Sequence, residues 1–180
     1  MKKVIFSLFA ISLLGSLIFM PQVLLAQEQV PKDWEQKSYV ERGKYLVNHL
    51  AECVGCHTPL GRGGPGDSDM NLYLSGVPAK FAGVQEGPPQ VAGFPGPKGA
   101  RYYPANTTPD PETGIGKWTE EQFVRAFRDG IRPDGTKYDK SPMEWEIYTN
   151  MREEDIRALY RYLRTVKPIK NKVPENIPPK

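Results

Sequence analysis

Cysteine and histidine are scarce in this chain, two of each among 180 residues. Two cysteines cannot staple a disulfide-built miniprotein, and two histidines cannot populate several metal sites. Charge of one sign is lacking as well: 24 Lys and Arg face 21 Asp and Glu, for a formal net charge of +3. Removing a leader that bears Lys2 and Lys3 takes away two of those charges and leaves +1. A chain so nearly neutral offers no basic face for phosphates, so nucleic acid is not an expected partner. No long apolar run follows Ala26, no alternating apolar pattern long enough for a sheet appears between Thr58 and Ala105, and no internal repeat is found. Glycine and proline, by contrast, are plentiful at 17 and 18 residues. That composition forecasts long irregular segments and argues against a large hydrolase or a nucleotide-binding α/β enzyme.

The chain opens on Met1-Lys2-Lys3, runs apolar from Val4 to Met20, is interrupted at Pro21, and reaches Ala26 before the polar Gln27-Glu28-Gln29. This is the order of a secretory signal, with cleavage expected after Ala26. If retained, the same stretch is long enough to anchor the chain in a membrane. Either way the remainder is expected outside the cytoplasm, in the periplasm. Residues 27–37 read as an N-terminal extension and 38–167 as the folded domain. Residues 168–180 hold four prolines and read as an extended, solvated tail that includes Lys170, Lys172 and Lys180.

Three segments carry helical periodicity. The first, from about Tyr39 to Ala51, has Val40, Tyr45, Leu46, Val47 and Leu50 as its apolar stripe. The second opens at Thr119, where Thr119 and Gln122 make a capping box, and Gly130 provides a stop. The third spans about Arg152 to Thr165, with Asn150 or Glu153 as caps and Ile156, Leu159, Tyr160 and Leu163 as its stripe. Thr58 to Ala105 holds 18 Gly and Pro in 48 residues and reads as one long loop. Asp110 and Glu112 read as turn residues rather than calcium ligands, since no fuller ligand set follows.

Directly after the first helix stands Cys53-Val54-Gly55-Cys56-His57, a C-x-x-C-H motif. Two thiols three positions apart can each add to one vinyl group of the same haem, and the adjacent histidine then faces the iron. A thioredoxin-like dithiol needs a βαβ context that is missing, and a zinc site needs two more ligands where only His49 remains. One motif means one covalent haem c. Met70, Met143, Met151 and His49 are the candidates for the sixth ligand. Pro142 restrains the chain before Met143 and favours an extended loop there, which places Met143 first among them.

The sequence resembles a mono-haem class I c-type cytochrome, closest to the modules that accompany bacterial alcohol, aldehyde and sugar-acid dehydrogenases. The resemblance rests on Arg42-Gly43-Lys44-Tyr45-Leu46, the Cys53–His57 motif, Asn106-Thr107-Thr108-Pro109-Asp110, Thr113 to Thr119, Pro142-Met143, and Asp155 to Tyr160. It implies an all-α fold, with three main helices around one covalent haem and long Gly/Pro-rich loops. The first and last helices would cross at Gly43, with Tyr160 and Leu163 opposite. It implies Cys53 and Cys56 as the attachment points and His57 and Met143 as axial ligands of the haem iron. The subunits of those dehydrogenases commonly carry three haem motifs; this chain carries one.

The function expected is electron transport: no catalytic residue, a redox dehydrogenase as donor, and an oxidase or another cytochrome as acceptor. A neutral thioether favours the ferrous state, so a positive potential is expected. The ring nitrogen of His57 turned away from the iron should donate to a backbone carbonyl. Trp118, Tyr138, Trp145 and Tyr148 are candidate haem walls, though core positions suit them somewhat better. The competing readings are an obligate dehydrogenase subunit that uses the 62–101 loop as an interface, and an open-site haem enzyme or gas sensor.

Overall fold

The first helix begins where the sequence carries no apolar stripe. In the computed structural model, which describes residues 32–61, 67–81, 93–138, 143 and 145–180, helix α1 spans Lys32–Tyr45. The expected leader (Met1–Ala26), Pro142, and the parts of the long loop at 62–66 and 82–92 lie outside the described residues. The helix thus starts inside the supposed 27–37 extension. Its early residues Glu35 to Ser38 are exposed and polar, so periodicity had nothing to register there.

A π-helical turn, Leu46–Leu50, continues α1. The buried face is Gly43, Leu46 and Val47, at i, i+3 and i+4. Tyr45 and Leu50, expected on the stripe, are 55% and 60% exposed. Tyr45 falls off that face by helical geometry. Leu50 is carried away because a π turn takes more residues per revolution than an α turn. Glu52, in the left-handed region at φ 50°, reverses the chain into the short helix α2, Cys53–His57.

The long segment that follows is not wholly irregular. Strands β1 (Phe94–Pro95) and β2 (Arg101–Tyr102) pair antiparallel, with Phe94 opposite Tyr102, and Arg101 also bridges to Ile177. The all-α expectation is corrected to a helical domain with a small sheet. Strands of two residues are too short to leave an alternating pattern.

Helix α3, Glu120–Asp129, has the expected ends. Gln122 N–H donates to Thr119 Oγ1 at 3.1 Å, Thr119 N–H donates to Gln122 Oε1 at 2.9 Å, and Gly130 closes the helix at φ 66°. A short helix α4, Trp145–Tyr148, lies in what reads as loop, and α5 covers Glu153–Leu163. Arg152 stands at the N-cap of α5 without a side-chain cap bond, so the expected capping by Asn150 or Glu153 is not seen. The acidic Glu153, Glu154 and Asp155 in its first turn favour the N-terminal dipole instead.

Helices α1 and α5 cross at close range. A Cβ on Gly43 would collide with the backbone carbonyl of Ala158 and come within 2.7 Å of Tyr162 Cβ. The residues opposite Gly43 are therefore Ala158 and Tyr162, not the expected Tyr160 and Leu163. Tyr160 turns toward α3 instead: its ring lies 5.4 Å from that of Phe123, and its hydroxyl donates to Trp118 O at 2.7 Å. Arg42 pairs with Asp155 at the edge of the crossing. Leu46, Val47, Leu74, Ile115, Phe123, Ile156, Leu159 and Leu163 form the core. Burying a side chain such as Ile156 or Leu159 stabilises the fold by about 1.5–3 kcal/mol.

The tail is extended, as its prolines dictate, but it is docked rather than loose in solvent. Asn106 Nδ2 donates to Ile169 O at 2.7 Å, and Asn171 Nδ2 donates to Ser75 O at 2.7 Å. Arg101 and Ile177 exchange backbone hydrogen bonds at 2.9 and 2.8 Å. Lys170 reaches Glu112 at 2.6 Å. Lys170, Lys172 and Lys180 are exposed, as a solvated tail requires, while Ile169, Asn171 and Ile177 are fixed by asparagines and carbonyls on distant loops, which no local pattern announces. Among the described residues no helix is long and apolar enough to cross a membrane.

Candidate functional site

Helix α2 and the segment between α3 and α4 meet at one cavity of about 550 Å³, lined by Cys53, Cys56, His57 and Met143 together. That volume falls within the roughly 300–1,000 Å³ usual for small-molecule sites. Ile115, Phe123, Phe127 and Leu163 supply apolar wall, and Trp118, Tyr138 and Tyr148 supply aromatic wall. These three aromatics, read as more suited to core, line the cavity; Trp118 also packs on the core. Trp145 does not line it. Its indole packs over Gly130, with Lys137 Nζ 5.4 Å from the ring.

His57 is buried, and its Nδ1 lies 2.7 Å from Ala105 O. A carbonyl can only accept, so the proton sits on Nδ1 and the Nε2 lone pair is left available. Burial lowers the pKa of the ring, opposed by the bond to Ala105, and keeps the imidazole neutral. The acceptor loop is itself tied down. Gly76 N–H donates to His57 O at 2.7 Å, Val77 N–H to Pro104 O at 3.1 Å, and Thr107 N–H to Leu74 O at 2.9 Å. Buried Asn106 knots the next turn: its Oδ1 accepts from Thr108 N and Oγ1 at 2.9 and 2.7 Å, and its Nδ2 donates to Thr113 Oγ1 at 3.0 Å. Asp110 acts as the turn residue expected of it, accepting from Thr113 Oγ1, Thr113 N and Glu112 N.

The two cysteines sit in surroundings that disfavour thiolate. Burial pushes the Cys53 thiol up to about 12, and burial plus the nearby charge of Glu52 raises Cys56. Neither thiol thus has the lowered pKa of a reactive redox dithiol. No group of three His, Cys, Asp or Glu able to hold a metal ion occurs among the described residues.

The other candidate ligands lie elsewhere. Met70 is 60% exposed, Met151 packs against the core, and exposed His49 has its ring tilted against that of Tyr45 at 5.6 Å. None of the three lines the cavity. Arg132 does line it, with its guanidinium 4.0 Å over the Tyr138 ring.

The cytochrome c family model matches residues 40–167. The chain belongs to the cytochrome c family. It is 36% identical over 143 residues to the cytochrome c subunit of alcohol dehydrogenase (quinone) from Gluconobacter oxydans (strain 621H), covering 77% of this chain and 24% of that protein. It is 35% identical over 131 residues to the fructose dehydrogenase cytochrome subunit of Gluconobacter japonicus, covering 72% and 22%. Against the gluconate 2-dehydrogenase cytochrome c subunit of Pantoea cypripedii, identity is 31% over 133 residues, covering 72% and 24%. The chain thus spans about a quarter of the length of these curated relatives.

Covalent haem c is the cofactor of a cytochrome c domain, and the residues of this one fit it. Two thiols stand on one helical turn, a neutral imidazole has its outer nitrogen occupied, a thioether lies on the same cavity, and the walls are largely apolar. One more feature fits a group with polar substituents: the Tyr103 hydroxyl is buried with no hydrogen-bond partner among the described residues.

Sequence reasoning missed the cavity residues of the cytochrome's C-terminal tail, Val173, Pro174 and Asn176, together with Tyr102, Tyr103 and Arg132. The tail offered no periodic signal. The aromatic pair Tyr102-Tyr103, set in a Gly/Pro-rich stretch, was the one available hint.

Proposed function

We propose that this cytochrome c is an extracytoplasmic one-electron carrier. Cys53 and Cys56 would tether the cofactor through thioether bonds, and His57 and Met143 would hold its iron. The observation that carries this reading is that all four side chains line one cavity. Haem bound there supplies a ferrous–ferric couple. His57 keeps its Nδ1 proton on Ala105 and presents Nε2, which fixes the orientation of the ring. Met143 offers a neutral thioether, favouring the ferrous state. Ile115, Phe123, Phe127 and Leu163 exclude water from the reacting region. Helix α3 gives the site Phe123 and Phe127, α5 gives it Leu163, and α1 supports it by packing against α5.

Residues 1–26 are the export signal, and the periplasm is the working compartment, with a membrane anchor arising only if that segment is retained. The donor is a dehydrogenase, in keeping with the relatives being cytochrome subunits of dehydrogenases, and the acceptor is an oxidase or another cytochrome. Ile147 lines the cavity and is 64% exposed, and Leu50 is exposed too. A small apolar contact there suits a transient electron-transfer encounter. Those same relatives support a second reading, in which the chain is a fixed electron-transfer subunit of a dehydrogenase complex.

Absorption spectra of the oxidised and reduced protein, followed by acid–acetone extraction, test the assignment. The colour stays on the polypeptide if Cys53 and Cys56 are bonded to haem; complete extraction overturns it. The reduced carrier does not bind carbon monoxide readily at neutral pH, whereas rapid, stoichiometric binding overturns the carrier reading in favour of an open-site enzyme or sensor.

A further inference from the structure

The C-terminal tail is built into the wall of the cavity, and the carrier function as derived makes no use of it. The tail clamps β2 and the segment that follows it at several points. Tyr103 N–H donates to Asn176 Oδ1 at 2.9 Å, Asn171 N–H donates to Thr113 Oγ1 at 3.0 Å, and Ile177 pairs with Arg101 through two backbone bonds. Proline favours such docking, because its fixed φ leaves less backbone entropy to lose.

Tyr103 is the residue this arrangement fixes most firmly. Its backbone is held by Asn176, it is 7% exposed, and Gly93 packs so closely that a Cβ there would approach its ring to 3.0 Å. It lines the cavity, yet its buried hydroxyl finds no acceptor among the described residues. A buried hydroxyl left unpaired is destabilising. Such a group calls for an acceptor brought in by the occupant of the cavity, and the anionic acceptors of haem are its two carboxylates. We propose that Tyr103, positioned by Asn176 of the tail, donates a hydrogen bond to a haem carboxylate, and that residues 169–177 are the strap that holds it there. The proposal rests on the covalent-haem reading above. A donor on that carboxylate offsets negative charge near the iron and favours the ferrous state.

The test compares the holoprotein with Y103F, with N176A, and with a chain ending at Lys172 that keeps Ile169 and Asn171. Haem retention after acid–acetone is scored first; a wild type without covalent haem overturns both the carrier reading and this one. With haem retained, the low-frequency resonance Raman band of the haem–carboxylate bend reports the hydrogen bond directly. The expected result is a shift of that band in Y103F, the same shift in part in N176A and in the shortened chain, and a midpoint potential that falls alongside it. A role of Tyr103 in packing alone does not move the band. If Y103F does not accumulate, N176A and the shortened chain give the reading with Tyr103 in place. An unshifted band in variants that keep haem overturns the proposal and leaves water as the partner of the hydroxyl.

Discussion

Gly76 lies directly against the carbonyl that receives the His57 proton: a Cβ at position 76 would sit 2.7 Å from Ala105 O and 2.6 Å from Pro104 O. The residue also adopts φ 73°, in the left-handed region. Gly76→Ala therefore incurs roughly 1–2 kcal/mol for the backbone conformation and a further loss from displacing the 104–105 backbone. Thermal unfolding should show the destabilisation. The midpoint potential should rise, because a weakened acceptor makes His57 a poorer electron donor to the iron. Wild-type stability in this variant would contradict the close approach.

Met143→Ala is expected to abolish the weak far-red band of methionine–ferric haem and to open the reduced protein to carbon monoxide. Met70→Ala should leave both unchanged, since Met70 is exposed away from the cavity. Met151→Ala should cost stability while keeping the band, because Met151 packs against the core. Loss of the band in Met70→Ala with retention in Met143→Ala would reverse the assignment.

Gly43→Ala pushes a methyl into the Ala158 carbonyl and should destabilise the protein by about 1–3 kcal/mol, the usual range for overpacking. The obstacle is backbone, so Ala158→Gly should not rescue it and should add up to about 1 kcal/mol of helix-propensity loss. Urea titration of the two single variants and the double variant decides the point; full rescue would mean that the methyl of Ala158 is the obstacle.

Asp110 predicts a pH dependence. Hydrogen bonds to its carboxylate, first from the Thr113 hydroxyl and then from the Thr113 and Glu112 amides, hold its pKa below the ordinary carboxylate value. The unfolded chain, with the higher pKa, takes up the proton first as pH falls. The stabilisation is thus present in full above roughly pH 4 and is lost as pH drops through the folded value. Asp110→Asn should be less stable than wild type at neutral pH, and the gap should close in acid. A gap that persists unchanged to low pH would remove ionisation as its cause.

Legibility in the sequence followed the range of the interactions. The Cys53–His57 motif, the Thr119–Gln122 box and the Gly130 stop are local, and each stands where its neighbours predicted. Gly43 was legible as a contact point, but its true opposite residues depend on the crossing angle, which moved them to Ala158 and Tyr162. The early start of α1 was hidden because Glu35 to Ser38 bury nothing. The sheet was hidden because two residues form no pattern. Ala105 as the acceptor for His57, and Asn171 and Asn176 as clamps, join segments far apart in sequence through backbone groups, which carry no residue-specific signal.

Arg42 and Asp155 meet although they stand 113 positions apart. Until α5 has been made, Gly43 lacks the Ala158 backbone it packs against and the core lacks Ile156, Leu159 and Leu163, so closure of the core comes late on the growing chain. The Cys53–His57 turn is synthesised long before that moment and remains open to attachment chemistry in the interval. Two bonds three positions apart also close no long loop, so they do not shrink the unfolded chain as a distant disulfide would. The cofactor tethered there must then strengthen the domain through what it buries and what it ligates, and a chain carrying haem but lacking α5 should remain coloured and unfolded.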